Sequence, residues 1–157
     1  MSVLGLSHVG ICVSNLDRSL EFYARLGFRL LGRVRVDDDA VQRLLELNEL
    51  DMELAFIELG EARLELIHFR RPAAEQSGFG PFNRTGLTHL SVKVTDFDAT
   101  VRKLESDGVS VRRHTIGSNT ASNARFAFLT DPDGMRIELF GAVDEETTKP
   151  WDMFAAG

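Results

Sequence analysis

The 157-residue chain has a single cysteine, Cys12, so it can form no internal disulfide, and a reducing compartment is expected. No apolar run approaches the roughly 20 residues that cross a bilayer. The N-terminus has no basic patch followed by an apolar stretch and a cleavage site. Lys and Arg form no dense block, and the formal net charge is −6. These features argue against nucleic acid and membranes as partners and indicate a cytoplasmic protein.

Apolar residues make up 43% of the chain and charged residues 27%, as in globular proteins. The length of 157 residues suits one domain or two small modules. An internal repeat favours two modules. Residues 5–30 align with residues 86–111 without a gap. Six positions of this alignment are identical: Gly5/Gly86, Leu6/Leu87, His8/His89, Val13/Val94, Asp17/Asp98 and Gly27/Gly108.

Both copies predict the same order of elements. Each copy begins with a strand, over 6–13 in the first and over 87–94 in the second. A helix follows, over 16–26 and over 97–107. The hydroxyl of Ser14 or Thr95 lies near the start of the helix, and a glycine follows its end. A second strand follows, and then a hairpin: 53–59 with 62–69, and 124–130 with 135–140. A further short helix is expected within 37–51, which has no counterpart in the second copy.

The predicted fold class is therefore α+β, with two tandem βαβββ modules pairing into a curved, half-open barrel around a metal site. The first module covers residues 1–69, a linker rich in Pro and Gly covers 70–86, the second module covers 87–141, and a tail covers 142–157. Because each module alone is small for a stable core, we expect the modules to pair, within one chain or across a homodimer.

Strand alternation places four polar side chains opposite the helix-covered faces. His8 and Glu65 share this placement in the first module, and His89 and Glu138 in the second. A strand histidine or glutamate taken singly is more often structural or solvent-facing. Because both residues recur at matched positions, two interpretations stay open here: structural side chains, or a site in which two imidazoles and two carboxylates bind a divalent metal.

The order of these elements resembles the vicinal oxygen chelate superfamily, over residues 3–141. "LSHVGICVSNLDRSLEFYARLGF" is similar to the family's opening and "FLTDPDGMRIELF" to its closing. The family includes glyoxalase I, methylmalonyl-CoA epimerase, extradiol dioxygenases, and fosfomycin- and bleomycin-resistance proteins. In its metal-binding members, His8, Glu65, His89 and Glu138 correspond to the ligand positions. The resemblance thus implies one divalent ion per chain (Zn, Ni, Co, Fe, Mn or Mg).

The resemblance implies an isomerase or lyase that acts like an epimerase or a glyoxalase. Such an enzyme polarises the carbonyl of a small-molecule substrate so that the alpha proton can be transferred. "MELAFIELGEARLELIHF" looks most like the epimerases, in which a glutamate just before this run acts as base. Glu49 falls at that position, and Glu138 is the other candidate base. Two departures, Thr88 in place of a second histidine and the "DPDG" turn, leave the substrate open. The alternatives are an extradiol-type dioxygenase and a non-enzymatic binding or resistance protein.

Overall fold

The computed structural model describes residues 2–75, 80–119 and 124–142. The chain divides into two compact units, Met1–Ser77 and Gly78–Gly157. The predicted tail lies outside the described residues apart from its first residue. No helix in the described parts of the chain is long and apolar enough to cross a membrane.

The first unit is a four-stranded mixed sheet with two helices. Its strands have the order β1-β4-β3-β2, with β1 parallel to β4 and the other neighbours antiparallel. Its elements are β1 (Val9–Cys12), α1 (Leu16–Arg25), β2 (Arg29–Val36), α2 (Asp39–Leu45), β3 (Asp51–Leu59) and β4 (Ala62–Arg71). The expected additional helix is therefore present as α2.

The second unit repeats this topology with the order β5-β8-β7-β6, in which only β5 and β8 are parallel. Its elements are β5 (Leu90–Val94), α3 (Phe97–Ser106), β6 (Val111–Asn119), β7 (Ala124–Thr130) and β8 (Arg136–Ala142). The predicted α+β class and the two βαβββ modules are confirmed, and neither sheet closes into a barrel. The pairing of the modules around one metal site stays a prediction.

Asparagine and aspartate begin the two long helices. The side chain of Asn15 accepts a hydrogen bond from the backbone of Arg18, and Asp96 accepts one from Ala99. Ser14 and Thr95 were expected to supply the oxygen at the helix start, but Asn15 and Asp96, one residue later, supply it. The capping side chain belongs to the extended residue directly before the first helical one.

Alternating side chains give each sheet one apolar face towards its long helix. Leu64 and Leu66 on β4 are 4% and 0% exposed, and Ile137 and Leu139 on β8 are 1% and 0% exposed. The intervening Glu65 and Glu138 therefore point to the opposite face. On that opposite face of the first sheet, an apolar cluster of Leu50, Met52, Leu54 and neighbouring side chains packs with α2.

An ion-pair network crosses the helix side of the first sheet. The carboxylate of Glu53 on β3 accepts hydrogen bonds from Arg33 and, at 2.9 Å, from Arg70, while Arg33 also pairs with Asp17 on α1. Hydrogen bonding by Arg33, with a further contribution from Arg70, lowers the pKa of Glu53 from 4.5 to about 2. The network thus ties three strands and a helix together.

Glu53 should make the stability of the first unit pH-dependent. Between about pH 4.5 and 2 the unfolded chain binds a proton at Glu53 that the folded chain does not, so this stabilisation is complete above pH 4.5 and is lost as the pH falls through that window. We expect Glu53→Gln to lower the free energy of unfolding by about 1 kcal/mol at pH 7, a small value because the ion pairs are partly exposed to solvent. We also expect it to reduce the loss of stability on acidification, the acid limb of the pH profile. Denaturant unfolding from pH 2.5 to 7 measures both effects. Glu61→Gln, in the exposed turn, is the control; an unchanged acid limb in Glu53→Gln would refute the assignment.

Candidate metal centre

The first unit brings His8 and Glu65 together. His8 directly precedes β1, and the parallel pairing of β1 with β4 sets Gly10 opposite Glu65. As a result His8 Nε2 lies 3.4 Å from Glu65 Oε2. A Cβ at Gly10 would lie 3.8 Å from that carboxylate oxygen, so the glycine leaves space beside it. The ring of Phe56, paired with Glu65 across β3 and β4, meets the imidazole edge-on at 5.3 Å between centroids.

The second unit repeats the arrangement. His89 directly precedes β5, and its Nε2 lies 3.6 Å from Oε2 of Glu138 on β8. Phe128 pairs with Glu138 across β7 and β8 and meets the imidazole of His89 edge-on at 5.6 Å. Each unit therefore holds the same three side chains, an imidazole, a carboxylate and a phenyl ring, in the same mutual positions.

The two His–Glu separations suit shared coordination. Both exceed the 2.7–3.2 Å of an ordinary N–H···O hydrogen bond. Two ligand atoms on one ion lie roughly 3.0–3.5 Å apart when each bond is about 2.1 Å. The four side chains are partly open to solvent, with exposed fractions of 37% and 18% for His8 and Glu65 and of 33% and 20% for His89 and Glu138. A small ligand can therefore reach both pairs.

Each unit offers two metal donors by itself. Across residues 2–75, 80–119 and 124–142, no three His, Cys, Asp or Glu side chains are grouped closely enough to hold an ion. His68, which the face alternation sets opposite Glu65, has its Nδ1 3.2 Å from the carbonyl oxygen of Val13 on the helix side of the sheet. The structure thus forms the two predicted pairs, with two of the four predicted donors in each unit.

Glu49 lies apart from the pair in its own unit. It is exposed, with a left-handed φ of 54°, in the turn before β3. Asp51 pairs with Arg71 at the start of β3, whereas Glu65 pairs with Phe56, five residues further on. Five strand residues span roughly 17 Å. The proposed role of Glu49 as base stays a prediction.

The phenyl rings beside the histidines are not among the residues predicted from the sequence. Phe56 and Phe128 nevertheless occupy matching places in "LAFIE" and "FAFLT", so the repeat contains a signal for them. Phe82 also belongs to the second unit, with its ring 5.1 Å from Phe128 and 6.1 Å from His89. The guanidinium of Arg136 lies 4.3 Å from the centre of the Phe82 ring. Because Phe82 falls in the predicted linker, no repeat comparison could have found it.

The two sheets have equivalent strand orders, β1-β4-β3-β2 and β5-β8-β7-β6, and each has a His–Glu pair beside its parallel strands. These features define a duplicated βαβββ protein. Residues 5–139 match the model of the Glyoxalase/Bleomycin resistance protein/Dioxygenase superfamily. The chain belongs to this superfamily, which confirms the resemblance described above.

Relatives and solved structures agree with this assignment. The chain is 34% identical to the uncharacterized protein YaeR of Escherichia coli K12, over 88% of this chain and 98% of that protein. It is 29% identical to a lactoylglutathione lyase of Escherichia coli O157:H7, over 88% and 93%. A glyoxalase family protein from Bacillus cereus shares the fold with a TM-score of 0.80 at 24% identity, over 90% and 95%.

Proposed function

We propose that this chain is a metal-dependent isomerase or lyase that transfers a proton at a carbon next to a substrate carbonyl. In this proposal His8 and Glu65 of one unit and His89 and Glu138 of the other bind one divalent ion. The observation that carries the proposal is the duplicated His–Glu pair, with its matched Nε2–Oε2 separations of 3.4 and 3.6 Å. The similarity to lactoylglutathione lyases supports the same class of reaction.

The donor set fits a divalent ion. Two imidazole nitrogens and two carboxylate oxygens suit Zn²⁺, Ni²⁺, Co²⁺, Fe²⁺ and Mn²⁺, and the carboxylates also suit Mg²⁺. Glu65 and Glu138 each face a histidine, so each carboxylate could bind an ion together with the neighbouring imidazole. The bound ion would supply Lewis-acid polarisation of the substrate carbonyl, which acidifies the neighbouring C–H bond.

The protein side chains would move the proton. When it is not bound to the ion, Glu138 would accept the proton from the carbon next to the carbonyl and return it to the adjacent carbon on the same face of the substrate, so the atoms balance without an oxidant. Its place beside His89 and Phe128 favours it over Glu49 as base. In the first unit, the buried Met52 and Leu54 lie along β3 between Glu49 and Phe56. Phe56 is the residue that pairs with Glu65. A phenyl ring meets each imidazole edge-on, at 5.3 Å from His8 and at 5.6 Å from His89.

The test combines metal content with solvent exchange. Wild-type protein prepared in metal-supplemented medium should hold one divalent ion per chain by elemental analysis. It should also catalyse metal-dependent deuterium exchange at the alpha carbon of S-lactoylglutathione, a 2-hydroxyacyl thioester, or of a 2-methylacyl thioester in heavy water. Absence of bound metal would refute the proposal. Oxygen consumption with a catechol and Fe²⁺ would instead favour the dioxygenase alternative, and tight substrate binding without turnover would favour a binding protein.

We infer that the protein forms a homodimer. Leu30, Leu31 and Val34 on the edge strand β2 are 48%, 41% and 51% exposed, and an apolar edge strand is a common site of association. Light scattering at micromolar concentrations should give twice the 17.5 kDa chain mass. Leu31→Glu should shift the protein towards monomer. Leu44→Glu, on the exposed side of α2, should leave the mass unchanged, and a wild-type monomer would contradict the inference.

A further inference from the structure

A hydroxyl group lies against each candidate ligand histidine on the side away from the carboxylate. Ser7 Oγ is 3.1 Å from Nδ1 of His8, and Thr88 Oγ1 is 2.9 Å from Nδ1 of His89. In both units the other ring nitrogen, Nε2, faces the glutamate. The hydroxyl belongs to the residue immediately before the histidine, and the contact occurs once in each of the two sheets.

This contact bears on which ring nitrogen carries the proton. A neutral imidazole has one N–H and one lone pair, and a ligand nitrogen must present the lone pair. When no ion is present, the facing carboxylate fixes neither tautomer, because its oxygen lies 3.4 Å from Nε2 of His8 and 3.6 Å from Nε2 of His89, beyond an ordinary hydrogen bond. Coordination through Nε2 needs the tautomer with the N–H at Nδ1 and an acceptor beside it.

A hydroxyl suits both tautomers. Ser7 and Thr88 can each donate a hydrogen bond to Nδ1 when that nitrogen holds the lone pair, and accept one when it carries the proton, by rotation about the C–O bond. A backbone carbonyl or a carboxylate in the same place could only accept. The ring can therefore keep its orientation while the proton changes nitrogen.

We propose that Ser7 and Thr88 are positioning residues that hold His8 and His89 in place in both tautomers and stabilise the Nδ1–H form when a metal ion binds at Nε2. This inference rests on the proposed function, since it concerns the same four-ligand site. It explains why the duplicated motif is Gly-Leu-(Ser/Thr)-His: the hydroxyl is repeated together with the histidine.

The test removes one hydroxyl without changing the shape of the side chain. Thr88→Val should weaken Zn²⁺ binding about 10-fold in competition titrations with a chromophoric chelator, the lower end of the 10–100-fold range for partners of ligand histidines. Thr88→Ser, which keeps the hydroxyl, should bind Zn²⁺ like wild type. Thr95→Val, at an exposed threonine of the same unit, is the matched control. Thermal melts of the metal-free proteins identify any variant that fails to fold.

Nitrogen-15 spectra of the imidazole rings provide the second readout. Adding Zn²⁺ to wild type should give His89 a protonated Nδ1 and a coordinated Nε2, and the Nδ1–H of His89 should exchange faster with solvent in Thr88→Val. If wild type binds Zn²⁺ while Thr88→Val retains the same affinity and the same Nδ1–H exchange, the positioning inference is overturned and the proposed function stands. If wild type binds no Zn²⁺ or other divalent ion, both are overturned.

Discussion

His89→Ala should abolish stoichiometric metal binding and remove the thermal stabilisation that the ion confers. The variant loses one of the two proposed imidazole ligands and leaves Glu138, which is 20% exposed, without its neighbouring histidine. A ligand that binds only the folded state adds about 2.7 kcal/mol at 100 times its dissociation constant, and metal sites couple to folding in this way. Elemental analysis and melting curves with and without added Zn²⁺ measure the two effects together.

His114→Ala is the matched control for this experiment, because His114 is an exposed histidine on β6 of the same unit. It should keep one ion per chain and the full stabilisation by metal. His8→Ala should behave as His89→Ala does, since the two units contribute equivalent donors. Full metal content in either His8→Ala or His89→Ala would remove that histidine from the ligand set.

Glu138→Gln should lower alpha-proton exchange by about 10²-fold or more, the range expected for loss of a general base. The substitution preserves the shape of the side chain but removes the carboxylate that we propose as proton acceptor next to His89 and Phe128. Glu65→Gln is the matched comparison, because Glu65 occupies the equivalent position in the first unit. Both variants should bind metal more weakly, so their rates of proton exchange are compared at saturating metal. Under that condition we expect Glu65→Gln to recover far more activity than Glu138→Gln.

Glu49→Gln decides between the two candidate bases. With Glu138 as base, Glu49→Gln should retain both its metal and most of its exchange, consistent with the exposed position of Glu49 in the turn before β3. The opposite pattern, with exchange lost in Glu49→Gln and kept in metal-saturated Glu138→Gln, would assign the base to Glu49, as the likeness to epimerases suggests.

Much of the fold could be predicted because the repeat doubles the signals for the first strand and the helix of each unit, and because some turns have a strong signal of their own. In the turn at residues 131–134, Asp131 accepts backbone hydrogen bonds from Asp133 and Met135, and Gly134 has a φ of 91°. The first residues of β1 and β5 could not be predicted as well. Both strands begin later than expected, at Val9 and Leu90, because the pairing partner on the neighbouring strand, rather than apolar pattern alone, determines where a ladder starts.

The candidate site could be predicted only in part, for a related physical reason. Strand alternation identifies which face His8 and Glu65 share, but the register between two strands determines whether their atoms meet. That register follows from the parallel pairing of Gly10 with Glu65. Aromatic neighbours such as Phe82 come from a segment without periodicity, and their position depends on long-range packing that a local pattern does not contain.

The parallel pairing of the first and last strands of each unit also has a consequence for how the protein acquires its ligand pairs. Val9 pairs with Leu64, and Leu90 pairs with Ile137, so a histidine meets its glutamate only after a long loop has closed. Contacts so distant in sequence form slowly. During synthesis, which proceeds from the N-terminus, we expect the His8–Glu65 pair to form while the second unit is still being made. The newly synthesised chain would thus pass through a stage with one complete pair of donors, able to bind a metal ion only weakly, before the full site exists.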